Sequence, residues 1–395
     1  MRALFSIKTY PYTVFTCLLV LVFYCFTYSD TVLAAGLSDS TKTADSLSAS
    51  KLRMVVRQGD FSYENATLVE DVTWRGTVVI RGALVISPQT TVRIESGTVI
   101  RFYKSAILRQ APRMVIMGRL QCNGKPDKPV VFRSGNNDAA KGDWGGLLFV
   151  ATEKRNQMDH FRIEGAETAI EAHYSHLTIN GANIRSSGTG ILLHDSVLNL
   201  LNIDMNGLDT ALEAHNSEVD LRDGTVINNY RGIVAKTSTI AVTSVVVSGS
   251  KLQGLVIDEC RIRIRSCEFS GNTFGVSVTG GEGQIFWSRF VNNSELGLEL
   301  TGARIKVTNS LFTENQRDGI KVNDSRSLIF GNSFIKNGGY NLINSSKDNI
   351  IAVQNWWNST EESVITEKIA ETVKNSQSGK VVISPWLIQK PSLLP

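Results

Sequence analysis

From about residue 53 the chain alternates apolar and polar positions in short runs, with Gly and Asn between them. A period of two marks strands with one buried face. Helical spacing is almost absent before residue 361. The runs recur. One apolar column reads Ile170, Ile191, Leu212, Ile233, Leu255, Val276, Leu298, Ile320 and Leu342, with every step 21 or 22 residues. A second column runs Ile179, Leu200, Leu221, Val242, Ile264, Ile285, Val307, Ile329 and Ile351. A third runs Ile184, Met205, Val226, Val247, Phe269, Phe290, Phe312, Phe334 and Trp356.

Three columns held in register over nine repeats define a solenoid. Each repeat offers three short strands and no helix. About 21 residues at ~3.3 Å each close one triangular circuit, and the next circuit lies ~4.8 Å above it. The expected fold is therefore all-β: a right-handed parallel β-helix, three-sided, with 21–22 residues per coil. Leucine-rich repeats share the period, but their fixed Leu/Asn consensus is missing. Phe290, Phe312 and Phe334 then stack inside the tube. Asn272, Asn293, Asn315 and Asn337, with Asn229 earlier, fall at one corner, where Asn side chains satisfy backbone groups. Gly254, Gly275, Gly297 and Gly319 allow close approach into the next strand.

A solenoid must close its ends. After residue 358 the pattern breaks at "STEESVITEKIAETVKN", residues 359–375. Thr360 is placed to cap a helix with Glu361 and Glu362 in its first turn and Lys374 near its end. Ile365, Ile369 and Val373 would share one face, and "VVISPWL" reads as a returning strand. Residues 359–395 are thus expected to form a cap of helix plus strand on a β-helix spanning 53–358. At the other end, Arg2 and Lys8 precede the apolar stretch Val14–Phe26, and small residues follow near Ala34 and Ala35. This reads as a signal peptide over 1–35, with an uncleaved membrane anchor as the alternative. Residues 36–52 read as a polar linker. Export to the periplasm or outside the cell is the expected location.

Three segments resemble exported bacterial right-handed parallel β-helix proteins of the pectate-lyase-like superfamily. They are "GALVISPQTTVRIESGTVIRF", "GRLQCNGKPDKPVVFRS" with "GDWGGLLF", and "QNWWNSTEE", where Asn358 stands in place of the usual Gly. The resemblance spans roughly residues 65–388 and implies the fold. It implies no single function, because this fold hosts lyases, hydrolases, epimerases, metal-handling proteins and adhesins.

Composition narrows the chemistry. The net charge is +4 from 41 basic and 37 acidic residues, with no Lys/Arg block, which excludes a nucleic-acid binder of the usual kind. Three cysteines lie beyond the N-terminal segment, too few for a disulfide framework. Cys260 and Cys267 either pair or sit buried as small apolar side chains. The outward column Glu171, Leu192, Glu213, Val234, Val256, Ser277, Glu299 and Lys321 lacks the clustered carboxylates that hold Ca²⁺ in pectate-type lyases. It presents instead an apolar strip at Leu192, Val234 and Val256.

Three constellations remain. His173, His194 and His215 recur at 21-residue spacing at the end of the first strand, with Glu171 and Glu213 on the same face and His176 nearby. They form either a metal-binding ladder suited to zinc or copper, or stacked side chains at an exposed turn. "RIRIR" sends Arg261, Arg263 and Arg265 outward, and with Arg304 and Lys306 two coils on makes a basic strip suited to acidic polysaccharide, or a solvated face. Asp138, Lys141 and Asp143 cluster with Asn136 and Asn137 beside Trp144, which is suited to stack on a sugar, or they form a surface loop. The leading expectation is a non-catalytic exported protein that presents a rigid strand face to a polysaccharide or other cell-envelope component. The alternatives are a polysaccharide lyase or epimerase, and a metal-handling protein.

Overall fold

A computed structural model describes residues 61–105, 111–136, 138, 140–323, 326–371 and 379–391. The expected signal peptide and linker lie outside these residues, as do Val373 and Lys374. The described residues form a right-handed solenoid of strands that pair only in parallel, each with a strand about one coil away. Three strands make one coil: Gln253–Asp258, Arg261–Arg265 and Glu268–Ser270 are followed by Phe274–Thr279, Glu282–Phe286 and Arg289–Val291. In earlier coils the second and third strands run on as one ten-residue strand, as in Val197–Asn206. It bends at Asn202, whose φ is 54°.

The first apolar column pairs rung by rung from Ile170 to Leu342. These side chains are 0–1% exposed, and they fill the tube. The other two columns hold until the last coil and then depart from the expected register. Ile351 pairs with Leu328 and is 51% exposed, and Ala352, at 0%, takes the inward place next to Ile329. Trp357, not Trp356, packs against Phe334 with ring centroids 4.6 Å apart. The loop Ser345–Asn349 precedes this slip. A single-residue shift flips a strand's faces, so here local loop length overrides the sequence period.

The corners are polar and satisfied. The buried Asn293 accepts the backbone N–H of Asn272 at 3.1 Å and donates to the Phe269 carbonyl at 3.0 Å and to Asn315 Oδ1 at 2.9 Å. Asn315 and Asn337 repeat the arrangement. Each buried amide thereby covers backbone groups that the turn leaves unpaired. Gly254 sits where a Cβ would lie 2.7 Å from the Gly275 carbonyl oxygen, which is the close approach the sequence suggested.

Another corner stacks serines: Ser175, Ser196 and Ser217 each donate a backbone N–H to the next Oγ at 3.0–3.1 Å. Ser238 donates to Cys260 Sγ at 3.3 Å, so this cysteine stands in for a corner serine. Cys267 occupies the next corner and reaches the Arg265 carbonyl at 3.2 Å. Both thiols are free. Burial raises the pKa of each, that of Cys267 to about 11, which leaves them unreactive thiols.

The C-terminal cap differs from the expected helix. The helix covers only Glu362–Glu367, and Glu361 takes the N-cap position without a side-chain cap bond. Thr360 therefore does not cap it. Ile369 leaves the helical phase and enters the strand Ile369–Glu371, which pairs with Leu342–Asn344. Val381–Val382 likewise pairs with Ile350–Ile351. The last coil offers unpaired backbone groups, and capturing them as strand outweighs extending a short helix.

Candidate functional site

The second strand of each coil builds the face of interest. Its outward positions form columns across the rungs. Thr239, Arg261, Glu282 and Arg304 align in one, and Ala241, Arg263, Gln284, Lys306 and Leu328 in the next. Along with Arg326 these side chains line an open groove of about 810 Å³. Among the described residues five cations and one carboxylate, Glu282, line it. The groove thus carries as much positive excess as the whole chain, whose formal charge is +4. Arg261 and Arg304 lie two rungs apart, about 9.6 Å along the axis.

The boundary of this face is set by sequence. Two rungs before Arg261, Arg222 is held by Asp220 at 2.6 Å, and the rung between carries Thr239, Ala241 and Thr243. Beyond it the cations accumulate. Glu282 partly answers Arg261 at 3.5 Å and Arg304 at 3.9 Å. Among the described residues Arg263, Lys306 and Arg326 make no ion pair. Arg263 and Arg265 both lie over the Phe286 ring at 5.9 Å, which fixes their stems while leaving their guanidinium edges available.

The groove's floor has a backbone cause. Gly283 stands between Ile262 and Ile305 in the inward column. Its φ of 151° is open only to glycine, and a Cβ there would meet the Ile262 carbonyl oxygen at 2.0 Å.

The histidine ladder forms. His173, His194 and His215 pair in register, and their rings stack at 4.9 Å with planes 9° apart. His173 Nε2 lies 2.8 Å from Glu171 Oε1 and His215 Nε2 lies 2.9 Å from Glu213 Oε1. His194 faces Leu192 on its own strand and has no such carboxylate. Imidazole lone pairs lie in the ring plane, so parallel rings direct theirs side by side instead of toward one ion. Among the described residues no three His, Cys, Asp or Glu side chains converge on a point that could hold a metal. A zinc or copper ion bound through Nε2 of His173 or His215 would compete with the glutamate that now engages that nitrogen.

Burial, and then the neighbouring His173 and His215, lower the His194 pKa below its ordinary 6.5, while the hydrogen bond from His173 lowers that of Glu171. A lowered histidine pKa means the unfolded chain binds the proton more readily. The stability contribution is therefore complete above pH 6.5 and declines as pH falls toward the folded value. Wild-type Tm should drop more steeply between pH 7 and pH 5 than that of His194→Leu. Parallel Tm–pH curves for the two would contradict this.

The loop reading is corrected. Trp144 is 0% exposed, stacks on Phe102 at 4.0 Å and donates its indole N–H to the Glu164 carbonyl at 2.8 Å. It belongs to the core and offers no sugar platform. Lys141 is engaged by Asp209, and Asp143 accepts the Ala140 N–H at 3.1 Å. Asp138 is exposed. Trp144 is therefore not part of a surface site with Asp138, Lys141 and Asp143. The apolar strip Leu192, Val234 and Val256 is half-buried. Arg326 and Gly283 were missed by sequence reasoning, although both lie in the same columns as residues it named.

The fold and the ladders define a class, the parallel β-helix proteins. Residues 210–357 match the family described as right handed beta helix region, and residues 66–193 match the pectate-lyase like beta helix domain. The chain is a right-handed parallel β-helix protein of the pectate-lyase-like superfamily. Among solved structures it is similar to a double mutant of the periplasmic alginate epimerase AlgG, with 12% identity, 80% of this chain and 78% of that chain covered, and a TM-score of 0.41. It is also similar to tailspike protein 3 of bacteriophage CBA120, with 13% identity, 80% and 58% covered, and a TM-score of 0.38. No curated protein matches it.

Proposed function

We propose that this chain is an exported binding protein that holds an acidic polysaccharide in the basic groove of its second face, with no bond broken. One observation carries the reading: among the described residues five cations and a single carboxylate line one open groove on an otherwise nearly neutral chain. Arginine forks pair with planar anionic groups through two parallel hydrogen bonds. Stacked rungs present them at a fixed repeat, so an extended polymer meets several at once. Among the described residues the lining holds no histidine and no carboxylate besides Glu282.

Polygalacturonate, a uronate homopolymer, is a direct probe. It should bind the purified chain in calorimetry at low salt and weaken as salt is added, while neutral dextran gives no heat. Glu282 competes for Arg261 and Arg304 from within the groove. Glu282→Gln should tighten polygalacturonate binding by about two- to fivefold. Equal binding of dextran, or no binding of the uronate polymer, would remove this function.

A further inference from the structure

We propose that the corner beside the groove is a second subsite, where Trp287 stacks on a sugar ring, so that the protein selects anionic polymers of sugar rings over polyanions in general. This rests on the reading of the basic groove as a glycan site.

The corner between the second and third strands takes a left-handed residue in coil after coil. His160, Gly181, Asn202, Asp223, Ser244, Ser266, Asn309 and Gly331 occupy it with φ between 42° and 73°. Apart from His160, these are the residue types for such a turn: glycine pays no steric cost, and short polar side chains tolerate it. One coil places Trp287 there, at φ 54°. A bulky side chain gains nothing from that conformation. Nor does it gain from packing, since the residue is 40% exposed while Trp74, Trp144 and Trp357 are 0–2% exposed. A residue that suits neither its backbone nor the core points to a use at the surface.

The surroundings supply that use. Trp287 lines a hollow of about 480 Å³ with Val246, Arg265, Glu268 and Arg289. Arg289 Nε is buried and finds no hydrogen-bond acceptor among the described residues, with the Glu268 carboxylate 3.7 Å away. Arg265 belongs to the same strand as Arg261 and Arg263, so the hollow lies at the end of a strand that builds the groove. A polymer leaving the groove meets an indole face with a guanidinium on either side. A sugar ring lays its apolar face on the indole, and its anionic group reaches Arg265 and Arg289. A polyanion without rings reaches only the arginines.

The test titrates the full chain with polygalacturonate and with inorganic polyphosphate, followed by tryptophan emission and calorimetry. Trp287→Asn uses a residue that the same corner already accepts at Asn309, and its melting curve serves as the folding control. Polygalacturonate should shift the emission of wild type, and Trp287→Asn should bind it about five- to tenfold more weakly. Polyphosphate affinity should be equal in the two proteins, and Trp287→Phe should keep most uronate affinity. Unchanged uronate binding by Trp287→Asn overturns the corner subsite, as does an equal loss for both polymers. The groove reading survives either result if Arg263→Glu/Lys306→Glu still weakens binding. Both readings fall if wild type binds neither polymer.

Discussion

Phe312→Ala should destabilise the coils around it by about 3–5 kcal/mol, the range for emptying a buried aromatic site. The ring is 0% exposed and sits between Phe290 at 4.5 Å and Phe334 at 5.3 Å. Removing it strips a stacking partner from both neighbours and leaves a void that rigid rungs cannot collapse. The stack continues to Trp357 at one end and Phe269 at the other. Neighbouring rungs hold one another, so the loss should spread along the axis without melting the whole chain at once. Urea unfolding by near-ultraviolet circular dichroism would show the lowered midpoint. Amide exchange would rise first in the rungs carrying Phe290 and Phe334. A cost under about 1 kcal/mol would mean that the tube is not packed at this level.

Arg263→Glu/Lys306→Glu should weaken polygalacturonate binding by between about fivefold and several hundredfold at low salt. Both side chains are exposed and stand two rungs apart in one column. Single exposed pairs are worth about 0.2–1 kcal/mol, and reversal replaces an attraction with a repulsion at each position. Across two positions this gives about 1–4 kcal/mol, hence the stated range. Stability should change little, because neither residue makes an ion pair among the described residues. Calorimetry at two salt concentrations separates the effects: the deficit should shrink as salt screens the charges. Undiminished binding would place the ligand elsewhere on the molecule and dispose of the groove.

Most of the architecture was legible before any coordinates. The inward columns, the Phe stack, the Asn corner and the glycines of close approach were all read from a period of 21–22 residues. The ring stacking of His173, His194 and His215 also followed from spacing alone. The site was legible only in part. Arg261, Arg263, Arg265 and Lys306 were identified, but whether they formed a groove depended on Gly283 and on which cations Glu282 engages. Trp144 was misplaced because its aromatic neighbour Phe102 lies 42 residues earlier in the chain and only the folded coil brings them together. Trp287 was passed over because one residue in a repeat looks like noise until its backbone angle and exposure are known.

What the amino-acid order determined on its own is the repeat: identical positions superimpose because every rung has the same length and the same alternation, and that pattern is local. Where an irregularity falls, the chain alone was silent. The register slip at Ile351, the conversion of Ile369 from helix to strand and the inward turn of Trp144 were each decided by partners distant in sequence. Backbone groups at an open edge and apolar rings at a core take whatever contact the finished coil offers, and that contact does not exist until the neighbouring rung is in place.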